Sequence, residues 1–255
     1  MDCVIVAGGV PGPDDPLYPY TQGKPKAMLA IRGRTLIEYV AAAFHQSPQV
    51  DNIVVVGLGD DRGLSFPQPI HHVPDQGGMI TNAIAGIEAA QRLNPTAQNL
   101  ILSTTDIPLI TGAMIDEWLE QCRPYSDLIM VHTLVPAVLM QQRFPGSKRT
   151  FTKLKGLEIT GGDLMLVQPR IIDTNRALWH AAANARKHPW KLARLVGFTT
   201  LFKLLTRQLS LSDMEAIGQR LLGSPMKIIL ARHAELGMDG DKPHQIELIR
   251  QSLPE

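Results

Sequence analysis

A chain of 255 residues can bury a sizeable core as one large α/β domain, or as one domain carrying an insertion. With 44% apolar residues, 19% charged residues and a net charge of +1, it has no global field that would draw nucleic acid or an acidic partner. Cys3 and Cys122 make neither a disulfide framework nor a metal-ligand spacing, and no apolar run approaches the roughly 20 residues that span a bilayer. A short first apolar run with no basic leader gives the expectation of a cytoplasmic protein with reduced thiols.

In chain order, residues 3–7 predict a buried strand that leaves through Gly8-Gly9 into a proline-rich loop. Leu36, Ile37, Val40, Ala43 and Phe44 lie at helical spacing over 35–46, and Thr35 with Glu38 three residues on forms a capping-box signature. A second buried strand is predicted over 52–58, a helix over 80–93, a third strand over 100–104, a helix over 111–121 and a strand over 127–133. Strands separated by helices in this order imply a mostly parallel, doubly wound sheet with right-handed crossovers. The second half predicts strands over 149–155 and 163–167, then helices over 171–186, 190–205 and 212–222, the last capped by Ser210 or Ser212. A strand over 226–231 and a helix over 243–253 close the chain. The expected organisation is an α/β domain of residues 1–168 plus 224–255, interrupted by a helical insertion over 169–223 acting as a lid or an acceptor-recognition subdomain.

In such sheets ligands collect at the carboxyl ends of the strands, where three groups fall. Gly8 and Gly9 let backbone N–H groups approach an anion, with Lys24 and Lys26 to add charge; a plain turn with exposed lysines fits the same residues. Neither a Walker A loop nor G-x-G-x-x-G is present. Asp106, just past a buried strand, suits a magnesium ion or a turn. Asp239-Gly240-Asp241 can share a cation or form an acidic turn before Pro243. Together, a phosphate loop and two distant acidic sites describe metal-assisted phosphoryl or nucleotidyl transfer.

The order of motifs resembles the sugar-phosphate and molybdenum-cofactor nucleotidyltransferases, of GT-A-like fold. The resemblance is carried by residues 4–9 (VIVAGG), 24–29 (KPKAML), 33–37 (GRTLI), 103–109 (STTDIPL), Gly161-Gly162-Asp163 and Asp239-Gly240-Asp241-Lys242-Pro243. It implies an NTP held by Ala7, Gly8, Gly9, Lys24, Lys26, Gly77 and Gly78. Catalysis would fall to Lys26 and Asp106, with magnesium or manganese on Asp106, Asp239 and Asp241. A small phosphorylated acceptor would lie near Lys153, Gly162 and Asp163. The implied reaction is attack by that acceptor on the α-phosphorus with loss of pyrophosphate. Two departures stand out: the usual Gly-Gly-x-Gly-x-Arg is missing, with Val10-Pro11-Gly12-Pro13-Asp14 standing there and no Arg, and Asp163 replaces a common Asn. They keep two alternatives open, a nucleotide-sugar-dependent glycosyltransferase and a non-catalytic nucleotide-binding protein of the same fold.

His71-His72 and His233 read as surface or strand-end residues, and Lys148, Arg149, Lys153 and Lys155 as a solvated basic face or a contact for the acceptor. The apolar and basic residues over 187–207 read as part of a helical cap, or as a weak contact with an anionic membrane surface or lipid-like acceptor.

Overall fold

The computed structural model describes residues 1–59, 63–173 and 197–253. Strand β1 (Asp2–Val6) and strand β4 (Ile53–Val56) are almost wholly buried, as apolar runs covered on both faces must be. Between them lie a short helix α1 (Tyr18–Thr21), a two-stranded ribbon of β2 (Ala30–Ile31) with β3 (Arg34–Thr35), and helix α2 (Leu36–Gln46). There follow β5 (His71–Val73), α3 (Met79–Leu93), β6 (Leu100–Thr104), α4 (Gly112–Cys122), β7 (Met130–Pro136) and α5 (Ala137–Arg143). Then come β8 (Thr152–Leu154), β9 (Leu157–Val167), α6 (Phe198–Leu205), α7 (Leu211–Leu222), β10 (Met226–Leu230) and α8 (Pro243–Ser252).

The main sheet has eight strands in the order β10-β7-β9-β6-β1-β4-β5, with β8 hairpinned onto β9. The pairs β1–β4, β1–β6, β4–β5 and β7–β10 are parallel, whereas β9 runs antiparallel to both β6 and β7. The expected doubly wound, mostly parallel sheet is therefore present. Side chains alternate across it. Cys3, Ile5 and Val55 pack with α2, α4 and α8 on one face, while Val4, Val54 and Val56 pack with Ile87 and Ala90 of α3 on the other. At Gly86 of α3 a Cβ would stand 2.3 Å from Val4 Cγ1, so this glycine sets how closely the helix approaches the sheet. Cys3 and Cys122 are buried free thiols.

Local chemistry explains most boundaries. Thr35 and Glu38 close the expected capping box on α2, the Thr35 N–H donating to Glu38 Oε2 at 2.7 Å. Ser210, rather than Ser212, caps α7, again with a reciprocal partner three residues on, Asp213. The predicted strand over 163–167 is an eleven-residue strand that passes straight through Gly161-Gly162. Opposite it, His132 to Leu134 of β7 spans two residues while Met165 to Gly161 of β9 spans four, a bulge centred on Gly162 and Asp163. The strand expected over 149–155 shrinks to β8, and α1, β5 and α5 were not anticipated.

Of the helix predicted over 171–186 only residues 171–173 are described, as the end of a 3₁₀ turn; its remainder and the first part of 190–205 lie outside the described residues. From Gly197 onward the stretch is only partly a separate cap. Helix α7 packs Met214 and Ile217 into one cluster with Leu134, Leu154, Ile159 and Ile228 of the sheet. Val167 of β9 pairs with Leu100 and Met130, and Met226 pairs with Met130. Both ends of the insertion are thus anchored at the amino-terminal rim of the parallel strands.

Candidate active site

The carboxyl ends of β1, β5 and β6 open into a cleft of about 460 Å³. Gly8 and Gly9 line one side, Gly77, Gly78 and Asn82 the other, and Lys26, Thr104 and Asp106 the inner end. Gly8 is tightly held: a Cβ there would meet Asp75 Oδ1 at 2.7 Å and Asn82 Nδ2 at 2.8 Å. Buried Asn82 donates to Asp75 Oδ1 at 2.7 Å and accepts from the Gln76 N–H at 2.6 Å, which ties the β5–α3 loop to the first turn of α3. Gly77 takes φ +77, a conformation that glycine adopts without strain, and Gly78 caps α3. The first turn of α3 thus presents its N-terminus to the cleft, a place suited to anions.

Lys26 enters from a 3₁₀ turn, Lys26–Met28, whose first N–H donates to Gly9 O at 2.8 Å. Its ammonium donates to Asp106 Oδ2 at 2.8 Å and also to Asp241 Oδ1, so carboxylates 135 positions apart in the chain meet at one nitrogen. Thr104 Oγ1 donates to the other oxygen of Asp106, and Gly240 N–H donates to Asp106 O at 3.0 Å, clasping the two loops together. Burial alone would lower the Lys26 pKa, but Asp106 and Asp241 outweigh it and hold the ammonium more firmly protonated. Burial would raise the Asp106 pKa, and Lys26 with Thr104 reverses that.

Asp239 forms a buried ion pair with Arg149, whose guanidinium also donates to Thr160 Oγ1 at 3.1 Å. Asp163, delivered by the bulge in β9, lies within electrostatic reach of Asp106, Asp239 and Asp241; burial and those neighbours push its carboxyl well above the usual range, with Arg149 opposing. Asp239 is also raised, by burial first, with Arg149 opposing and Asp241 adding to the rise. Four carboxylates thus gather around two cations. This excess of negative charge, carried entirely by hard oxygen donors, fits a divalent cation such as magnesium. Among the described residues no three His, Cys, Asp or Glu side chains already stand as a ligand set, so such an ion would draw further ligands from substrate or water.

Of the residues singled out in the sequence, Ala7, Gly8, Gly9, Lys26, Gly77, Gly78 and Asp106 line the cleft. Asp239 and Asp241 line a smaller neighbouring cavity. Lys24 is exposed and outside both. Lys153 pairs with Glu158 at 3.2 Å across the β8–β9 hairpin, and Gly162 packs against Thr133 of β7. Thr104, Asp75 and Asn82 join the site without having been picked out for it, and Arg149, read in the sequence as part of a solvated basic face or an acceptor contact, turns inward to pair with Asp239. His233 is half-buried beside Glu117, and His71 is an exposed residue of β5.

A family profile described as the MobA-like NTP transferase domain matches residues 3–166, the span that contains the glycine loop, Lys26, Asp106 and Asp163. The chain belongs to this family. The same overall architecture occurs in a hypothetical transferase from Thermus thermophilus, at 30% identity and a TM-score of 0.81, over 96% of this chain and 98% of that one. A 4-diphosphocytidyl-2C-methyl-D-erythritol synthase (14% identity, TM-score 0.57, 99% and 98% covered) shares the fold of the MobA-like domain. So does a CMP:2-keto-3-deoxy-manno-octonic acid synthetase complexed with CTP (13% identity, TM-score 0.55, 98% of each chain covered). No curated protein sequence matches the chain. Among the described residues no helix is long and apolar enough to cross a membrane.

Proposed function

We propose that the protein is a magnesium- or manganese-dependent nucleotidyltransferase that moves a nucleoside monophosphate from an NTP to a small phosphorylated acceptor. The observation that carries this reading is the Lys26 ammonium spanning Asp106 and Asp241 at the inner end of a glycine-lined cleft. In this reading the backbone of Gly8 and Gly9 and the N-terminus of α3 receive the triphosphate, while Asp75, Gly77 and Gly78 flank the nucleoside. An acceptor oxygen attacks the α-phosphorus, the bond from it to the β-phosphate oxygen breaks, and pyrophosphate departs with the electron pair. Lys26 offsets the charge that grows on that leaving group. Thr104 and Gly240 keep Asp106 fixed while this happens. A bound divalent ion, held by Asp106 and Asp241 together with substrate oxygens, would supply charge neutralisation on the phosphates. The protein's share is then positioning and preorganised charge.

Pyrophosphate release is measured with each of the four NTPs, magnesium and a panel of phosphorylated acceptors. Release that disappears in Asp106→Ala, while the Tm stays near that of the parent, supports the proposal. NTP binding without pyrophosphate release would favour a non-catalytic nucleotide-binding protein. Release of UDP or GDP from a nucleotide-sugar would favour a glycosyltransferase.

A weak contact of 187–207 with lipid is a separate reading. It is favoured by Phe198, Phe202 and Leu205, which are exposed at helical spacing on α6. Co-sedimentation with anionic liposomes, compared with neutral ones, tests it.

A further inference from the structure

Asp106 and Asp241 are the two acids that the nucleotidyltransferase reading gives to a divalent ion, and an ammonium already stands between them. Lys26 donates to Asp106 Oδ2 at 2.8 Å and also to Asp241 Oδ1. Its side chain is 14% exposed, so the charge is largely out of water, yet the two ion pairs keep it protonated. Without Lys26 the pair of carboxylates leaves two negative charges for a divalent ion to neutralise; with the ammonium between them only one remains.

Neither acid depends on Lys26 for its place. Thr104 Oγ1 donates to the other oxygen of Asp106, and the Gly240 N–H donates to Asp106 O at 3.0 Å. The Asp241 N–H donates at 3.1 Å to Oε1 of buried Gln245, in the first turn of α8. Lys26 is the adjustable member. Its own N–H is tied to Gly9 O at 2.8 Å, but its side chain is a flexible stem ending in a point charge with three donors, two of which serve the acids. Ammonium and cation therefore compete for the same carboxylate oxygens.

The cleft is short of positive charge in a matching way. Among the described residues Lys26 is the only basic side chain in its lining, beside the carboxylates of Asp75 and Asp106. While Lys26 serves two acids, the lining has no free cation for a polyphosphate. A metal ion arriving alone finds Lys26 in its place, and a triphosphate arriving alone finds Lys26 engaged. Arriving together they allow an exchange: Asp106 and Asp241 pass to the cation, and the ammonium passes to phosphate oxygens. Every charge is paired before and after, and no proton moves.

Resting on the nucleotidyltransferase reading, we propose that Lys26 is a built-in counter-ion that bars a divalent cation from Asp106 and Asp241 until a nucleoside triphosphate draws the ammonium away, so that cation and nucleotide bind as a coupled pair. Removing this lysine then moves metal affinity and catalysis in opposite directions.

The test follows free Mn²⁺ by electron paramagnetic resonance as it is titrated with the full chain, first without nucleotide. Lys26→Met should bind Mn²⁺ about tenfold more tightly than the parent, within the usual range of about 5–150-fold for coupled ligands. Lys26→Gln should behave alike and carries the comparison if Lys26→Met does not fold. Lys26→Arg, which keeps the charge, should show no gain, and Asp106→Ala should abolish the gain of Lys26→Met. Lys242→Met removes an exposed charge next to Asp241 without touching the Lys26 bridge, and should change the Kd by less than about threefold. With a saturating non-hydrolysable NTP analogue the sign reverses, and Lys26→Met holds Mn²⁺ and analogue less tightly than the parent. In the parent, magnesium alone should leave the Tm within about 1 °C of the metal-free value. The proposal is overturned if neither neutral variant gains affinity for free Mn²⁺, if Lys242→Met gains as much, if the gain persists with analogue bound, or if magnesium alone stabilises the parent as much as magnesium with analogue. A parent that fails to bind Mn²⁺ and analogue together overturns the nucleotidyltransferase reading as well, whereas a parent that binds both but fails one of these comparisons loses only the counter-ion role of Lys26.

Discussion

Lys26 is bound by two acids, and its ammonium is charged at any working pH, so it acts as a fixed positive charge and not as a base. Replacing it with Met leaves Asp106 and Asp241 facing each other without a counter-ion. Pyrophosphate release should fall about 10²–10³-fold, the usual loss when one preorganised electrostatic group is removed, as read by single-turnover kinetics. Asp163 carries the opposite imbalance. Its folded-state pKa is raised, so the fold holds its proton more tightly than the unfolded chain, and stability falls as pH rises from the ordinary carboxylate range through that raised value. Asp163→Asn should therefore raise the Tm at neutral pH by roughly 2–4 °C for each kcal/mol recovered, and the gain should vanish in acid below the usual carboxylate pKa, where the parent Asp163 is protonated in both states. A gain that persisted there would point to packing instead of charge. The sequence made Lys26, Asp106 and Asp241 legible because each lies in a motif. Arg149 was legible only as one of a basic run, a solvated face or an acceptor contact, because its neighbours Lys148 and Lys153 are exposed and nothing local says that one base in such a run turns inward to an acid ninety positions later.

At the level of elements, propensity and packing sometimes oppose each other, and magnitudes decide. In α3, Gly86→Ala improves helix propensity by about 1 kcal/mol. The new methyl, however, meets Val4 at 2.3 Å and Val56 at 2.8 Å, and such overpacking costs about 1–3 kcal/mol. The net expectation is a less stable protein, and Gly86→Val should be worse than Gly86→Ala in urea denaturation. Thr35→Ala removes the reciprocal cap of α2 and should cost about 1 kcal/mol in the same measurement. Long amphipathic helices and wholly apolar strands were legible because their burial imposes a period. Strand β5 was not, since it is three residues long and two of them are histidines. Strand β9 looked broken because a glycine pair normally ends a strand, whereas here Gly161 pairs with Leu134 and Gly162 opens a bulge facing β7.

Across the whole molecule, the alternation of strands and helices was enough to anticipate the doubly wound sheet, but not the reversed β9, because strand direction leaves no mark in composition. Ligand binding should also be visible at this scale. An NTP with magnesium at a hundred times its Kd should stabilise the fold by about 2.7 kcal/mol, and Asp106→Ala should lose most of that while keeping its own transition cooperative. The reversal of β9 has a consequence for how such a protein can diversify. Its early residues, Thr160 to Asp163, reach the reactive end of the sheet, and its last residue leaves at the other end, where the connection toward β10 begins and finishes. That connection can be swapped, lengthened or given a new binding partner over generations while the catalytic apparatus stays untouched, provided α7 still seals the flank of β10.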